Sequence, residues 1–170
     1  MNLIISKMNK EDVGLAWDFC VSPQSCGNPE HYEEYLRLVA IGDNEQGKST
    51  THLLKNDNGE ILGFLTLKAA CVIFQTGDYL EGYAAMEISE LAIHSDHEGR
   101  GCGSELILWA INKAVELNRQ YLGIGYLTLC ADPRATGFYE KLGFSKVTDS
   151  YELPRDGWNQ NCVAMMMKLT

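Results

Sequence analysis

Apolar and polar positions change period several times along the chain. Residues 2–6 (NLIIS) form a short apolar run that reads as a strand. Asn9 is placed to cap a helix, with Asp12 three residues on at the capping-box position. Val13, Ala16, Trp17 and Cys20 then recur at helical spacing. Pro23 and Gly27 break that helix, and a second is predicted from Pro29, with Tyr32, Tyr35, Leu36 and Val39 as its apolar stripe. Residues 41–49 are polar and glycine-punctuated, so they read as a loop. Strands come next. Residues 50–55 form one, Asp57-Asn58-Gly59 is a hairpin signal, and residues 60–70 return, with Ile61, Leu65 and Leu67 apolar and a bulge at Gly63. Residues 72–83 carry Gly77 and Gly82 and read as an extension of that strand followed by a loop.

The remainder is organised around residues 86–117. Residues 86–93 form a β-compatible apolar run and 94–100 are polar. Beyond Gly101, Cys102 and Gly103 the apolar residues Leu106, Ala110, Ala114 and Leu117 recur at helical spacing. Residues 126–130 (YLTLC) read as a strand. Asp132 is an N-cap with Pro133 at the first helical position, and Gly143 stops that helix. Residues 144–147 begin another strand, 149–161 read as a loop or hairpin containing Trp158, and 162–169 read as the last strand. No repeat, linker or low-complexity segment interrupts this order. The expectation is one α+β domain over residues 1–170.

Composition narrows the function classes. The chain has 170 residues, 45% of them hydrophobic, enough for a sizeable core. It carries 23 acidic against 14 basic residues, a net charge of −9, which gives no general attraction for nucleic acid or an anionic membrane. No apolar run approaches the roughly 18 residues of a membrane span. The N-terminal apolar run is too short for a signal peptide, so a cytoplasmic location is expected. The six cysteines include no C-x-x-C pair, and buried free thiols are the expectation.

Glycines at the mouth of a helix let backbone N–H groups approach an anion, which the helix dipole also favours. No Gly-Lys-Ser/Thr follows, so this is not a Walker loop. Glycines at alternate positions (99, 101, 103) do not make a dinucleotide fingerprint. The run Gly99-Arg100-Gly101-Cys102-Gly103 closely resembles the acetyl-CoA loop of the GNAT superfamily of N-acetyltransferases, with Glu98 where that pattern has Arg or Gln. Residues 132–144 (DPRATGFYEKLGF) are similar to the family's second signature, a short helix ending in Tyr-Glu-Lys-x-Gly-Phe.

The resemblance covers roughly residues 50–170 and implies the GNAT fold, a mixed, mostly antiparallel sheet with helices on both faces. It implies acetyl-CoA as cosubstrate and no metal. Backbone groups of Leu91, Ala92 and Ile93 would bind the pantetheine and the thioester carbonyl, with Leu91 N–H as the carbonyl donor. Glu98, Gly99, Arg100, Gly101, Cys102, Gly103 and Ser104 would surround the pyrophosphate, with the Glu98 side chain pointing into water. Asp132, Ala135, Phe138 and Tyr139 would complete the cofactor contacts. Tyr139 matches the family's general acid, since a phenol stays protonated at neutral pH and can donate to a thiolate. Glu87 is the candidate base, eleven residues before Glu98; a water chain is the alternative. Glu90 falls on the opposite strand face. The cluster His94, Asp96, His97 and Glu98 has no metal-ligand spacing and reads as a solvated loop.

The leading expectation is transfer of acetyl to a primary amine of a small molecule or peptide, with no nucleic-acid or membrane partner and a possible homodimer. One alternative is a toxin-like acetyltransferase of aminoacyl-tRNA, which residues 51–67 and 88–103 also resemble, although such toxins tend to be basic. A second alternative is a non-catalytic acyl-CoA-binding regulatory module.

Overall fold

The computed structural model describes residues 2–147 and 162–169. Seven strands are described: β1 (Ile4–Lys7), β2 (Thr50–Lys55), β3 (Ile61–Thr76), β4 (Tyr79–Ile93), β5 (Tyr126–Ala131), β6 (Ser145–Lys146) and β7 (Val163–Lys168). They form one mixed sheet in the order β1-β2-β3-β4-β5-β7-β6. The helices are α1 (Pro29–Glu34), α2 (Ala40–Gln46), α3 (Cys102–Gln120) and α4 (Thr136–Lys141). Contacts divide the chain into two compact units, the first formed by Met1–Lys68 with Ser89–Leu108 and the second by Ala69–Ile88 with Trp109–Thr170.

In the first unit β1, β2 and β3 pair antiparallel. Their core joins Met8, Phe19, Leu36, Ala40, Leu53, Phe64 and Ala92. The capping box at Asn9 and Asp12 forms as expected, but only 3-10 turns follow it, over Lys10–Asp12 and Leu15–Asp18. Arg37 explains how this irregular segment is held, since its guanidinium donates to the carbonyls of Ala16 and Phe19 at 3.3 and 2.6 Å. The second helix runs on past the predicted stop. A π turn at Tyr35–Val39 leads from α1 into α2, which ends at Gln46 with Gly47 left-handed at φ 70°. Asn44 fixes α2 by donating to Met8 O and accepting from Thr51 N–H. At the bulge in β3, a Cβ on Gly63 would stand 2.6 Å from Ile93 Cδ1 and 3.0 Å from Ala92 O, so glycine there permits close backbone approach.

In the second unit residues 72–83 form hairpin rather than loop. β3 continues to Thr76, Gly77 turns at φ 62°, and β4 starts at Tyr79. Phe74, Tyr83 and Tyr126 pack together with centroids 5.4–5.7 Å apart. Residues Ala85–Ile88 of β4 pair parallel with Tyr126–Leu129 of β5, and β5 and β6 each pair antiparallel with β7. The cysteine expectation is corrected here. Cys130 and Cys162 form a disulfide, with Cα atoms 5.4 Å apart; in the β5–β7 ladder Cys130 stands opposite Ala164, two residues from Cys162, which immediately precedes β7. The other four cysteines are outside this bridge: Cys20 and Cys71 are exposed, Cys26 is half-buried, and Cys102 alone of the four is buried. The loop expected over 149–161, with Trp158, lies outside the described residues. No helix among the described residues is long and apolar enough to cross a membrane.

Candidate functional site

In the first unit β4 ends at Ile93 and a polar connection leads to α3. The His94 amide donates to Leu62 O at 2.9 Å and the Ser95 amide to Cys20 O at 2.9 Å. His94 Nδ1 accepts from Asp96 N–H, and its Nε2 lies 3.2 Å from Asp18 O. The connection is therefore pinned at its base before the glycines begin. Gly99 and Gly101 follow in left-handed conformations, φ 69° and 86°, which L side chains rarely adopt. Nothing lies within 4 Å of where a Cβ would stand at either glycine, so the space beside the backbone is open.

Helix α3 starts at Cys102, and its first intrahelical bond runs from Glu105 N–H to Gly101 O at 3.0 Å. The amides of Cys102, Gly103 and Ser104 precede it and have no intrahelical acceptor. Arg100 is exposed beside them. The Cys102 side chain points inward, 3% exposed, and burial pushes its thiol up from the ordinary value. Glu98 does not point free into water as expected. Its carboxylate accepts from Ser25 Oγ at 2.7 Å. Ser25 is a residue that sequence reasoning missed, because nothing local couples positions 73 apart.

Leu91, Ala92 and Ile93 share this unit with the loop. Ala92 is buried in the core, and Ile93 packs where the Gly63 Cβ would be. Glu90 is bound to His31 on α1, Nε2 to Oε2 3.0 Å. A cavity of about 230 Å³ is lined by His94, Asp96 and His97 of the connection with Asp18, Glu60 and apolar neighbours. Three carboxylates make it unsuitable for a phosphate; the glycine loop is the better anion site.

In the second unit Asp132 caps a 3-10 turn, accepting from Arg134 N–H at 2.9 Å, and its two carboxylate oxygens receive the Arg134 guanidinium at 3.1 Å each. Ala135 ends that turn and precedes α4. Phe138 and Tyr139 meet edge to face at 5.0 Å, and Tyr139 packs on Phe144 at 5.9 Å. Tyr139 is 8% exposed; burial, and secondarily the Asp132 charge, push its phenol well above the ordinary value. Glu87 is half-buried on β4, opposite Thr128 of β5.

Among known proteins, a family model described as "Acetyltransferase (GNAT) family" matches residues 13–144. No curated protein sequence matches the chain. Similar solved structures include a Tyr-to-Phe mutant of the AtaT toxin bound to the C-terminus of the antitoxin AtaR and acetyl-CoA, at 22% identity and TM-score 0.71. That match covers 99% of this chain and 94% of the other. A KacTA–DNA complex matches at 19% identity and TM-score 0.68, with the same coverages. A structure described as a bacterial toxin matches at 19% identity and TM-score 0.74, covering 99% and 91%. These findings overturn the expected partners, a small-molecule or peptide amine without nucleic acid. Among the structures of like fold, the AtaT toxin is seen with the C-terminus of the antitoxin AtaR, and the AtaT–AtaR and KacTA complexes are seen with DNA. Net charge counts this chain alone, whereas the DNA-bound AtaT neighbour is a complex that also contains AtaR.

Proposed function

Because the chain belongs to the acetyltransferase (GNAT) family, we propose that it is a toxin-type enzyme that acetylates the amino group of an aminoacyl-tRNA. In the same reading, a second polypeptide of antitoxin type holds it in check. The observation that carries the reading is the glycine connection into α3. Two left-handed glycines, open space beside them and first-turn amides that lack an intrahelical acceptor fit a pyrophosphate. Likeness in fold to the AtaT toxin and to KacT along nearly the whole chain favours this acceptor over a free amine.

Acetyl-CoA supplies an activated thioester. The chain's own residues then have distinct tasks. Amides from Gly99 to Ser104, with the Arg100 guanidinium, hold the diphosphate. Ser25 keeps the Glu98 carboxylate engaged, which limits its repulsion of that charge. Leu91 N–H polarises the thioester carbonyl, as a backbone donor in a fixed strand can do without reorganising. Tyr139 holds a proton at Oη for the departing sulfur. Its raised pKa keeps the phenol protonated at neutral pH. Glu87 receives the proton of the amine.

The test offers the purified protein labelled acetyl-CoA with aminoacyl-tRNA, deacylated tRNA and a panel of free amines. Label on the aminoacyl group, lost when the ester is hydrolysed from the tRNA, is the expected result. Label appearing only in the free amines would overturn the acceptor assignment.

A further inference from the structure

Thr128 sits in the middle of β5 with 0% of its surface exposed. Its hydroxyl has no hydrogen-bond partner among the described residues. A buried unpaired hydroxyl is costly, and a folded protein retains one only where something else is gained. Strand alternation puts Thr128 on the same face of β5 as Tyr126, opposite the face of Leu127 and Leu129. The ladders place Glu87 of β4 on one side of it and Met166 of β7 on the other. Partners in a ladder share a face, about 4.8 Å apart. Met166 offers only a weak thioether acceptor. Of the two residues flanking Thr128 in register, Glu87 alone presents a strong acceptor for the orphaned donor.

We propose that Thr128 is a positioning residue whose hydroxyl donates to the Glu87 carboxylate, directly or through one water, in the state competent for acetyl transfer. The inference rests on the reading of Glu87 as the base. The hydroxyl fixes the rotamer in which that carboxylate meets the amine and favours its charged form. The other titratable groups on this face are Tyr83 on β4, Tyr126 on β5, against which Tyr83 packs, and, opposite Tyr126 on β7, Lys168. All three stay in place in the variants below and cancel in the comparison.

The variants are Thr128→Val, which removes the donor, and Thr128→Ser, which keeps it. Glu87 is followed by carboxyl carbon NMR in glutamate-labelled protein, free and saturated with CoA, with Glu87→Gln to assign the signal. A hydrogen bond to the charged form lowers a carboxyl pKa, so Thr128→Val should move the Glu87 titration upward by about one pH unit. Thr128→Ser should titrate like the parent. The melting temperature of Thr128→Val should be unchanged or higher, because an unpaired hydroxyl has been removed. Turnover should fall about tenfold in kcat with KM for acetyl-CoA unchanged, and the double variant with Glu87→Gln should be no slower than Glu87→Gln alone. An unmoved Glu87 titration in both states, or a loss that Thr128→Ser fails to rescue, would overturn the proposal. If Glu87→Gln keeps parental kcat, the base reading itself fails. If Glu87→Gln is slow while Thr128→Val is parental, only the Thr128 assignment falls.

Discussion

At the scale of single residues, Tyr139 shows how burial and chemistry combine. Its ring packs between Phe138 and Phe144, and its hydroxyl is withdrawn from water. Tyr139→Phe removes one oxygen and little volume, so the fold should persist while kcat falls by about 10²–10⁴ with a small effect on KM. Steady-state kinetics on a variant with parental melting temperature checks this, and a kcat within twofold of the parent would leave Tyr139 a packing residue. The pH dependence has a definite sign. The folded phenol titrates above its unfolded value, near 10, so it contributes stability that is present below pH 10 and lost as pH rises beyond it. The phenylalanine variant should lose less stability in that alkaline window. Tyr139 was legible because a motif surrounds it. Ser25 and Thr128 were not, since a serine partnered across 73 residues and an orphaned buried threonine leave no local pattern.

At the scale of elements, the strand–loop–helix segment was the most legible, because its apolar period switches from two to 3.6 across a glycine run. Two misreadings have identifiable causes. Residues 41–49 suggest a loop because Gly42, Asp43 and Asn44 are weak helix formers, yet helix α2 runs through Gln46. Tertiary contacts override them: Ala40 is fully buried and Asn44 bridges Met8 and Thr51. Where residues 72–83 suggest a strand extension followed by a loop, Gly77 is the turn of a longer hairpin. The disulfide was invisible because a spacing of 32 residues does not predict pairing. The glycine connection is open to test. Valine at position 101 must adopt φ near 86°, which costs about 1–3 kcal/mol, less than the roughly 5–15 kcal/mol that stabilises a domain. Its side chain would occupy the open space beside the loop amides. Gly101→Val should therefore remain folded, with a lowered melting temperature, and lose at least tenfold in acetyl-CoA affinity by calorimetry. Unchanged affinity in the folded variant would move the pyrophosphate elsewhere.

At the scale of the whole molecule, a net charge of −9 opposes a polyanionic acceptor. Binding of tRNA then has to rest on a few local cations acting within a Debye length, about 8 Å at physiological salt. The second unit gathers Arg134, Lys141 and Lys146 on or beside α4. Arg134 is held by Asp132, and Lys146 lies 3.5 Å from Glu140. Lys141 is exposed and has no ion-pair partner among the described residues, so its charge is the least compensated of the three. Each phosphate contact releases condensed counterions and adds about 0.7–0.9 to the magnitude of the slope of log affinity against log salt. If Lys141 makes such a contact, Lys141→Glu should weaken binding of every aminoacyl-tRNA by a similar factor and flatten the salt slope by about one. Acetyl-CoA affinity, set in the first unit's glycine connection, should stay at the parental value. Filter binding of several aminoacyl-tRNAs across a salt series gives the slope. A slope and affinity equal to the parent's would remove Lys141 from the tRNA surface, while a loss confined to one tRNA would mean that it reads the nucleic acid rather than anchoring its backbone.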